Sequence, residues 1–421
     1  MISGEENELL TRVGPGTPSG ELFRRYWLPV GLSGRIKEGQ LFPIRILAED
    51  LVLFRDKKGR PGLIGSRCSH RGTDLSWGCV IDGGVRCIYH GWVFDVEGHC
   101  LDQPAEPKPF KEKVRHLAYP CQELGGLIFA YLGPPDKKPV LPRYDFLVRT
   151  DGLRVAYDAG MVHCNWLQRA ENTMDPGHTS VLHGPAFDPL YAANLEQQLF
   201  DFQETEFGCR YIAVREGRNP GTKFVRSAGV HLPCIRMDSH LYLELPDSEP
   251  IVVHSVPNLD GAWRVPLDDT SLRDFGVTFY PLTGGASLDD LRRKIKGRGY
   301  ASEDINTEDE KWIYDPKINR AKSVRWQDTV ALVGQGKIAD RTTEYLGSAD
   351  RGILMLRRLW LDQIEAMRQG RDPKGIIREA SDGEVIETKD LGNALVHCQG
   401  RSAEDILQLA LENTRRPIHP I

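Results

Sequence analysis

The chain has 421 residues, 40% hydrophobic and 27% charged, with a formal net charge of −5. That is the composition of a soluble globular protein with room for two or three domains of about 150 residues. The near balance of acid and base argues against bulk electrostatic binding to nucleic acid or an anionic membrane. Nine cysteines are too few for a disulfide-framed secreted protein. No apolar run approaches the ~20 residues of a membrane span. The acidic start Met-Ile-Ser-Gly-Glu-Glu is unlike a secretory signal, so a cytoplasmic location is expected and the thiols are free for metal chemistry.

In chain order, Ser3 and Glu6 form a capping-box pattern ahead of Leu9, Leu10 and Val13, which predicts a short helix ended by Gly14-Pro15-Gly16. Gly14, Gly16 and Gly20 have the wrong spacing for a dinucleotide loop and follow a helix, so they read as a turn. Short strand-like runs follow at 44–47, 51–54, 63–64, 85–88, 92–94 and 127–129, punctuated by Lys57–Arg60, Asp82-Gly83-Gly84 and Glu97-Gly98. This predicts a small antiparallel β-domain, with the Pro-rich stretch from Gly133 to Pro142 as a linker.

The rest reads as mixed. Residues 163–183 suit a helix interrupted near Pro176-Gly177, strands are expected around 208–215, 224–236, 239–245 and 250–256, and helices at 284–297, 326–335 and 348–369. Strands grouped together with helices around them predict an α+β fold, not an alternating βαβ sheet.

Two groups of residues carry chemistry. Cys68-Ser69-His70 is followed after sixteen residues by Cys87-Ile88-Tyr89-His90, so two adjacent loops each offer one thiolate and one imidazole. A Cys₂His₂ zinc site would use the same four residues. Zinc sites usually pair like ligands within a loop, whereas a Rieske [2Fe–2S] cluster takes both thiolates on one iron and both imidazoles on the other, which the mixed loops favour. The second group is Asp175, His178 and His183. Asp175 and His178 lie within about 60° of each other on a helix, and two imidazoles plus a distant carboxylate would make the facial triad of a mononuclear Fe(II) oxygenase. Cys79, Cys100, Cys121, Cys164, Cys209, Cys234 and Cys398 match no ligand spacing and are expected to be buried thiols.

Cys68-Ser69-His70-Arg71-Gly72 and Cys87-Ile88-Tyr89-His90-Gly91-Trp92 closely resemble the binding loops of the Rieske non-haem iron oxygenases. The segment His163-Cys164-Asn165-Trp166 to His183 resembles their iron-binding segment, and Glu8 to Pro18 with Leu22 to Trp27 resembles the start of the phthalate dioxygenase and aromatic O-demethylase branch. The resemblance implies His178 and His183 as iron ligands and Asp175 as the acid that bridges to a Rieske histidine of a neighbouring subunit. The family pattern of an Asp, then Gln-Gly, Asp-Arg, Glu and Leu-Gly-x-x-Asp matches Asp328, Gln335-Gly336, Asp340-Arg341, Glu344 and Leu346 to Asp350, which implies Asp328 as the third ligand. The acidic run from Glu303 to Glu310 reads as a solvated face.

The implied architecture is a Rieske domain at 26–133 and a mononuclear iron domain at 134–421 of helix-grip type, with residues 1–25 packed on the latter. The implied activity is O₂-dependent oxidation of an aromatic carboxylate. It leans towards O-demethylation of a lignin-derived methoxy acid, with ring cis-dihydroxylation of a phthalate-like acid as the alternative. A homotrimer or stacked trimers and a separate NAD(P)H-dependent reductase are implied, since the chain has no flavin or nicotinamide fingerprint. Arg215, Arg226 and Arg236 fall in strands suited to anchoring the substrate carboxylate. A non-catalytic Rieske electron carrier is the rival of another class, and a zinc-stabilised binding module is the third reading.

Overall fold

The structure, a computed structural model, describes residues 2–183, 198–217, 219–250, 256–296, 323–379, 384–388 and 390–413. Ser3 accepts the Glu6 amide and Glu6 accepts the Ser3 amide, which starts helix α1 (Gly4–Thr11) as the sequence predicts. The turn expected at Gly14 and Gly16 is present, but Gly20 falls in a second helix α2 (Pro18–Phe23), which forms because Thr17 caps the Gly20 amide and Pro18 is pre-set for a first helical turn. Gly20 is needed there, since a Cβ would lie 2.3 Å from the Gly14 carbonyl oxygen.

Three small antiparallel sheets follow. The first pairs β1 (Trp27–Leu32) with β11 (Leu127–Tyr131) and β10 (Cys121–Leu124). The second runs β2 (Leu41–Ile46), β3 (Glu49–Arg55), β4 (Pro61–Gly65), β9 (Ala118–Tyr119), and the third β5 (Cys79–Ile81), β6 (Gly84–Arg86), β7 (Val93–Phe94), β8 (Cys100–Asp102). The expected strand at 85–88 therefore stops at Arg86, which leaves Cys87 and Ile88 in a loop.

After helix α3 (Asp145–Val148), the larger part is one antiparallel sheet of nine strands among the described residues. Its members are β12 (Gly152–Val162), β13 (Leu199–Glu204), β14 (Gly208–Glu216), β15 (Thr222–His231), β16 (Ile235–Ser239), β17 (Ser248–Glu249), β18 (Leu259–Asp268), β19 (Ser271–Pro281) and β20 (Gly392–His397). The order is β12-β19-β18-β16-β15-β14-β13, with β20 against β15 and β17 against β20. Helices α4 (Trp166–Thr173), α5 (His178–Leu182), α6 (Leu288–Ile295), α7 (Val324–Val333), α8 (Arg351–Arg368) and α9 (Ala403–Asn413) surround it, which is the α+β class expected.

Two expected strands differ. The run at 224–236 is split by a turn at Leu232-Pro233-Cys234. The run at 239–245 leaves the sheet after Ser239, and Tyr242 makes only an isolated bridge to Asn393. The Leu241 amide turns to Ser239 Oγ at 3.1 Å where the chain leaves the ladder, and a second turn follows at Asp247, φ +56, with Ser248 capping the Leu245 amide. The expected strand at 250–256 lies almost entirely outside the described residues.

Strands β18 and β19 are buried on both faces. Leu259, Trp263 and Val265 join an apolar core with Phe129 and Phe146, in which the Phe129 and Trp263 rings meet edge-on at 5.3 Å. Gly261 is obligatory on this face, because a Cβ would fall 2.2 Å from the Phe146 ring. The same core includes Leu10, Phe23, Trp27, Trp166 and Trp360, so the N-terminal helices pack on α4 and α8. The Trp166 and Trp360 rings sit 4.5 Å apart, and their indole N–H groups donate to Leu10 O and Ser19 Oγ.

The opposite face of β18 and β19 carries Asp260, Arg264, Asp274 and Thr278, all buried. Against it lies α4, started by Asn165, which accepts the Leu167 amide and donates to Thr11 O and Asp269 O. Buried Glu171 on α4 takes a fork from Arg341 (2.9 and 2.8 Å) and a third bond from Arg357 (2.6 Å), which in turn pairs with Glu344. Burial pushes the Glu171 pKa up, but the two guanidiniums outweigh it and leave the group below its ordinary value. A carboxylate lowered in the fold adds stability above its ordinary pKa, and that stability is lost as pH falls through the lowered value. Glu171→Ala should therefore cost about 3–5 kcal/mol at neutral pH, by stranding buried guanidiniums. Thermal melting against pH checks this: the variant should lose stability less steeply on acidification than the wild type.

Candidate metal centres

Cys68 and Cys87 open two loops of the same build. In each, the cysteine amide donates to the carbonyl five residues on, Cys68 to Thr73 at 2.9 Å and Cys87 to Trp92 at 2.8 Å. Each cysteine carbonyl accepts from the glycine four residues on, Gly72 at 2.8 Å and Gly91 at 3.1 Å. Both glycines take the left-handed conformation, φ +75 and +76, that closes such a loop. The cysteines are buried at the end of a small core formed with Val52, Phe54, Val85, Trp92 and Phe94. His70 and His90 are half-buried, with ring centroids 4.5 Å apart, and Trp92 stacks on His70 at 4.6 Å.

Burial pushes the Cys68 thiol up to about 11, with Cys87 adding to it, while the amides of His70 and Arg71 point at the sulfur and favour the thiolate. A single tetrahedral zinc ion, with ligands at about 2.0–2.3 Å, would hold all four donor atoms within about 4 Å of one another. Among the described residues, the sets of three or more donors within 4.8 Å are His178, His183 and Asp328, and Asp95, Glu97 and His99, of which Asp95 is half-buried and the other two exposed. The two Cys/His loops do not form such a set, so their donors are spread more widely than one ion requires.

His116, which sequence reasoning missed, braces the first loop. Its Nε2 lies 2.9 Å from the Gly65 carbonyl oxygen, which only accepts, so Nε2 carries the proton and Nδ1 accepts from Ser69 Oγ at 2.7 Å. Burial lowers its pKa, in keeping with that neutral tautomer. Its contact with the loop spans 47 residues of sequence, and no local pattern announces it.

The second centre is built from α4, α5 and α7. Pro176-Gly177 separates α4 from α5, as the sequence predicts, and Asp175 caps the turn by accepting the Gly177 and His178 amides. His178 Nδ1 donates to the Asp175 carbonyl and His183 Nδ1 to Gln327 Oε1 at 2.7 Å. In the neutral rings both Nε2 atoms then carry lone pairs, and they face Asp328 Oδ1 at 3.6 and 3.0 Å. Burial would raise the Asp328 pKa, but the hydrogen bond with His183 and the charges of Arg169 and His178 hold it far below the usual carboxylate range. For His178, burial lowers the pKa, and Asp175 and Asp328 outweigh it and raise it.

Asn172 Nδ2 lies 3.3 Å from His178 Nε2 and 3.4 Å from Asp328 Oδ1. Arg169 Nη1 donates to Asp328 Oδ2 at 3.1 Å. The sequence alone assigns no role to Asn172 or Arg169. Their positions i and i+3 on α4 were the available signal, once α4 was taken to face the triad. Asp175 is half-buried, its side chain 30% exposed, against 11% for Asp328.

The three arginines expected as substrate anchors are each tied to internal hydrogen-bond partners. Buried Arg215 donates to Pro176 O and Thr179 Oγ1, both at 2.7 Å, and so braces the turn that carries His178. Nη2 of Arg226 donates to both oxygens of Asp238, at 2.7 and 2.8 Å. Arg236 pairs with Asp238 and with Asp260, which also takes bonds from Tyr157 and Thr278. Of the seven remaining cysteines, Cys100, Cys164, Cys209 and Cys234 are buried, Cys121 and Cys398 partly so, and Cys79 is exposed on short strand β5, a correction to the expectation. The run Glu303–Glu310 lies outside the described residues.

A loop pair offering two thiolates and two imidazoles, joined to an α+β domain with a two-histidine, one-carboxylate centre, defines the class of iron–sulfur oxygenases. Residues 26–120 match the family model of the Rieske [2Fe-2S] domain. The chain is 35% identical over 415 residues, 96% of this chain and 90% of the relative, to the 5,5'-dehydrodivanillate O-demethylase oxygenase subunit of Sphingobium sp. (strain NBRC 103272 / SYK-6). It is 37% identical over 391 residues, 89% and 88%, to the phenoxybenzoate dioxygenase subunit alpha of Ectopseudomonas oleovorans. The crystal structure of dicamba monooxygenase bound to dicamba shares its fold, with a TM-score of 0.61 at 18% identity over 83% of this chain and 99% of that one.

The chain belongs to the Rieske non-haem iron oxygenases, as an oxygenase (alpha) subunit of the branch that includes O-demethylases and phthalate dioxygenases. It is an enzyme of the oxygenase class with a Rieske [2Fe–2S] domain. No described helix is long and apolar enough to cross a membrane.

At Gly91 the left-handed φ coincides with a tight contact, since a Cβ would lie 2.7 Å from Pro104 Cγ. At Gly72 there is open space. Gly91→Ala should therefore loosen the second loop more than Gly72→Ala loosens the first. Amide hydrogen exchange at Cys87 and Gly91 against Cys68 and Gly72 would measure the difference.

Proposed function

We propose that this chain is the terminal oxygenase of a multicomponent system, with a mononuclear iron held by His178, His183 and Asp328. The observation that carries the reading is the convergence of two imidazole Nε2 atoms and a carboxylate oxygen within 4.8 Å. A positive charge, either a proton on an imidazole or a bound cation, holds three such groups together, and two imidazoles with one carboxylate suit Fe(II) with positions left for O₂ and substrate. Bound there, iron would supply the reduction of O₂ and the oxidation of the substrate. Cys68 and Cys87 would hold one iron of the cluster and His70 and His90 the other.

The chain's own residues prepare both centres. Asp175 O and Gln327 fix the histidine tautomers, and the glycine-closed loops aim amides at the Cys68 sulfur. Electrons come from a separate reductase. In a homotrimer or stacked trimers they pass through a Rieske histidine of a neighbouring subunit to Asp175, whose partly exposed carboxylate is within 3.5 Å of His178 Nδ1.

For substrate, we favour O-demethylation of a methoxylated aromatic acid, supported by 35% identity to a 5,5'-dehydrodivanillate O-demethylase oxygenase subunit over 96% of this chain. Ring dioxygenation is the second reading, favoured by 37% identity to a phenoxybenzoate dioxygenase subunit. Incubation with a reductase and a panel of methoxylated and unmethoxylated aromatic acids separates them. Formaldehyde release supports demethylation, and a cis-diol without formaldehyde supports the second reading.

The oxygenase should contain about three irons per chain, against two for an electron carrier. Asp328→Ala should lose one iron and keep the brown colour of the cluster, and full turnover in that variant would refute the ligand assignment. Asp175→Asn should keep both centres loaded while product formation falls by about 10²-fold or more, as for a misplaced positioning group. Normal coupled turnover in Asp175→Asn rules out the bridge.

A further inference from the structure

The two oxygens of Asp328 face different partners. Oδ1 faces His183 and His178, at 3.0 and 3.6 Å, and Oδ2 accepts from Arg169 Nη1 at 3.1 Å. Arg169 is 5% exposed, and its Nε donates to Asp274 Oδ2 at 3.4 Å. Asp274 is buried on β19 and also pairs with Arg264 at 2.9 Å, so a second guanidinium fixes the carboxylate that holds Arg169. The same Nη1 of Arg169 lies 3.4 Å from Asn172 Oδ1. That bond sets the amide so that Nδ2, a donor, is the atom turned to His178 and Asp328.

We propose that Arg169 is a positioning residue that limits the mononuclear centre to three protein donor atoms. It occupies the second oxygen of Asp328, which keeps the carboxylate to one metal-facing oxygen. It also turns the Asn172 oxygen away, so that the amide offers an N–H and no ligand atom. A six-coordinate ferrous ion then keeps three positions for other ligands, where a two-oxygen Asp328 and an amide oxygen would leave one. This rests on the proposed reading of His178, His183 and Asp328 as an iron site.

The sign of the effect separates this role from a merely structural one. Arg169 and a divalent cation compete for one carboxylate, so removing the guanidinium should strengthen metal binding, whereas loss of structural support would weaken it. The test uses cluster-loaded protein stripped of its mononuclear metal with a chelator and titrated anaerobically with Fe(II). Arg169→Met should bind Fe(II) about tenfold more tightly than wild type, the scale of one charge-assisted hydrogen bond. Its nitric oxide adduct should give an S = 3/2 EPR signal of altered rhombicity.

Arg169→Gln reads the same effect if the Met variant does not fold, and Arg169→Lys, which keeps a cation beside Oδ2, should return the affinity to the wild-type range. Unchanged or weaker affinity in a folded Met or Gln variant, with wild-type stoichiometry, overturns the role of Arg169 and leaves the iron site standing. A wild type that takes up no metal beyond the two cluster irons overturns the iron site and this proposal with it.

Discussion

The structure around α4 depends on keeping a charged carboxylate, Asp328, inside the protein. A buried anion costs several kcal/mol unless it is paired and hydrogen-bonded. Arg169 supplies the pair, and its Nε–H, left over in the interior, is met by Asp274 of β19. Asp274 draws in Arg264 from β18 and Arg325 from α7. The charge of one side chain thus ties α4, α7, β18 and β19 together. On another side of α4, Glu171 is held by Arg341 and by Arg357 from α8. A short helix with buried charges facing in two directions cannot slide without breaking one set, and that fixes the positions of Asn172 and of the turn leading to His178.

How much of this was legible depended on how local the constraint is. The Rieske loops were readable because each carries its cysteine, histidine and closing glycine within a few residues, and the loop hydrogen bonds close within the same span. The interruption between α4 and α5 was readable for the same reason, since Pro176-Gly177 sits in the local sequence. Asp328 lies 159 residues from its partner Arg169, and composition offered many other acids. Only a resemblance extending along the chain singled it out. Nothing local marked His116, whose partner Ser69 lies 47 residues away, and the spacing of Arg169 and Asn172 on α4 gains its meaning only once Asp328 of α7 is brought against them.

The strands told a related story. β18 and β19 went unread although they are interior strands of the sheet beneath α4. Their sequences place Asp260, Arg264, Asp274 and Thr278 opposite apolar residues, with glycines and Pro266 between, a composition that strand propensity disfavours. Those charges are buried because they pair with one another and with α4. The run at 239–245 was the converse error: its alternation looks like a strand, but the Ser239 hydroxyl takes the Leu241 amide and the chain leaves the ladder there.

The same pairing logic bears on how a substrate carboxylate would be recognised. Arg226 and Arg236 each have internal carboxylates, Asp238 and Asp260, so an incoming anion would have to share or displace a partner already in place. Sharing is the cheaper course where two guanidiniums already flank one aspartate, as they do at Asp238, because each arginine carries five donors and a carboxylate occupies only some of them. On the proposed reading, attraction for an anionic acid in a chain of net charge −5 then arises from the arrangement of buried donors. Selectivity for one acid over another would follow from which donors its carboxylate reaches while its oxidised carbon lies over the triad.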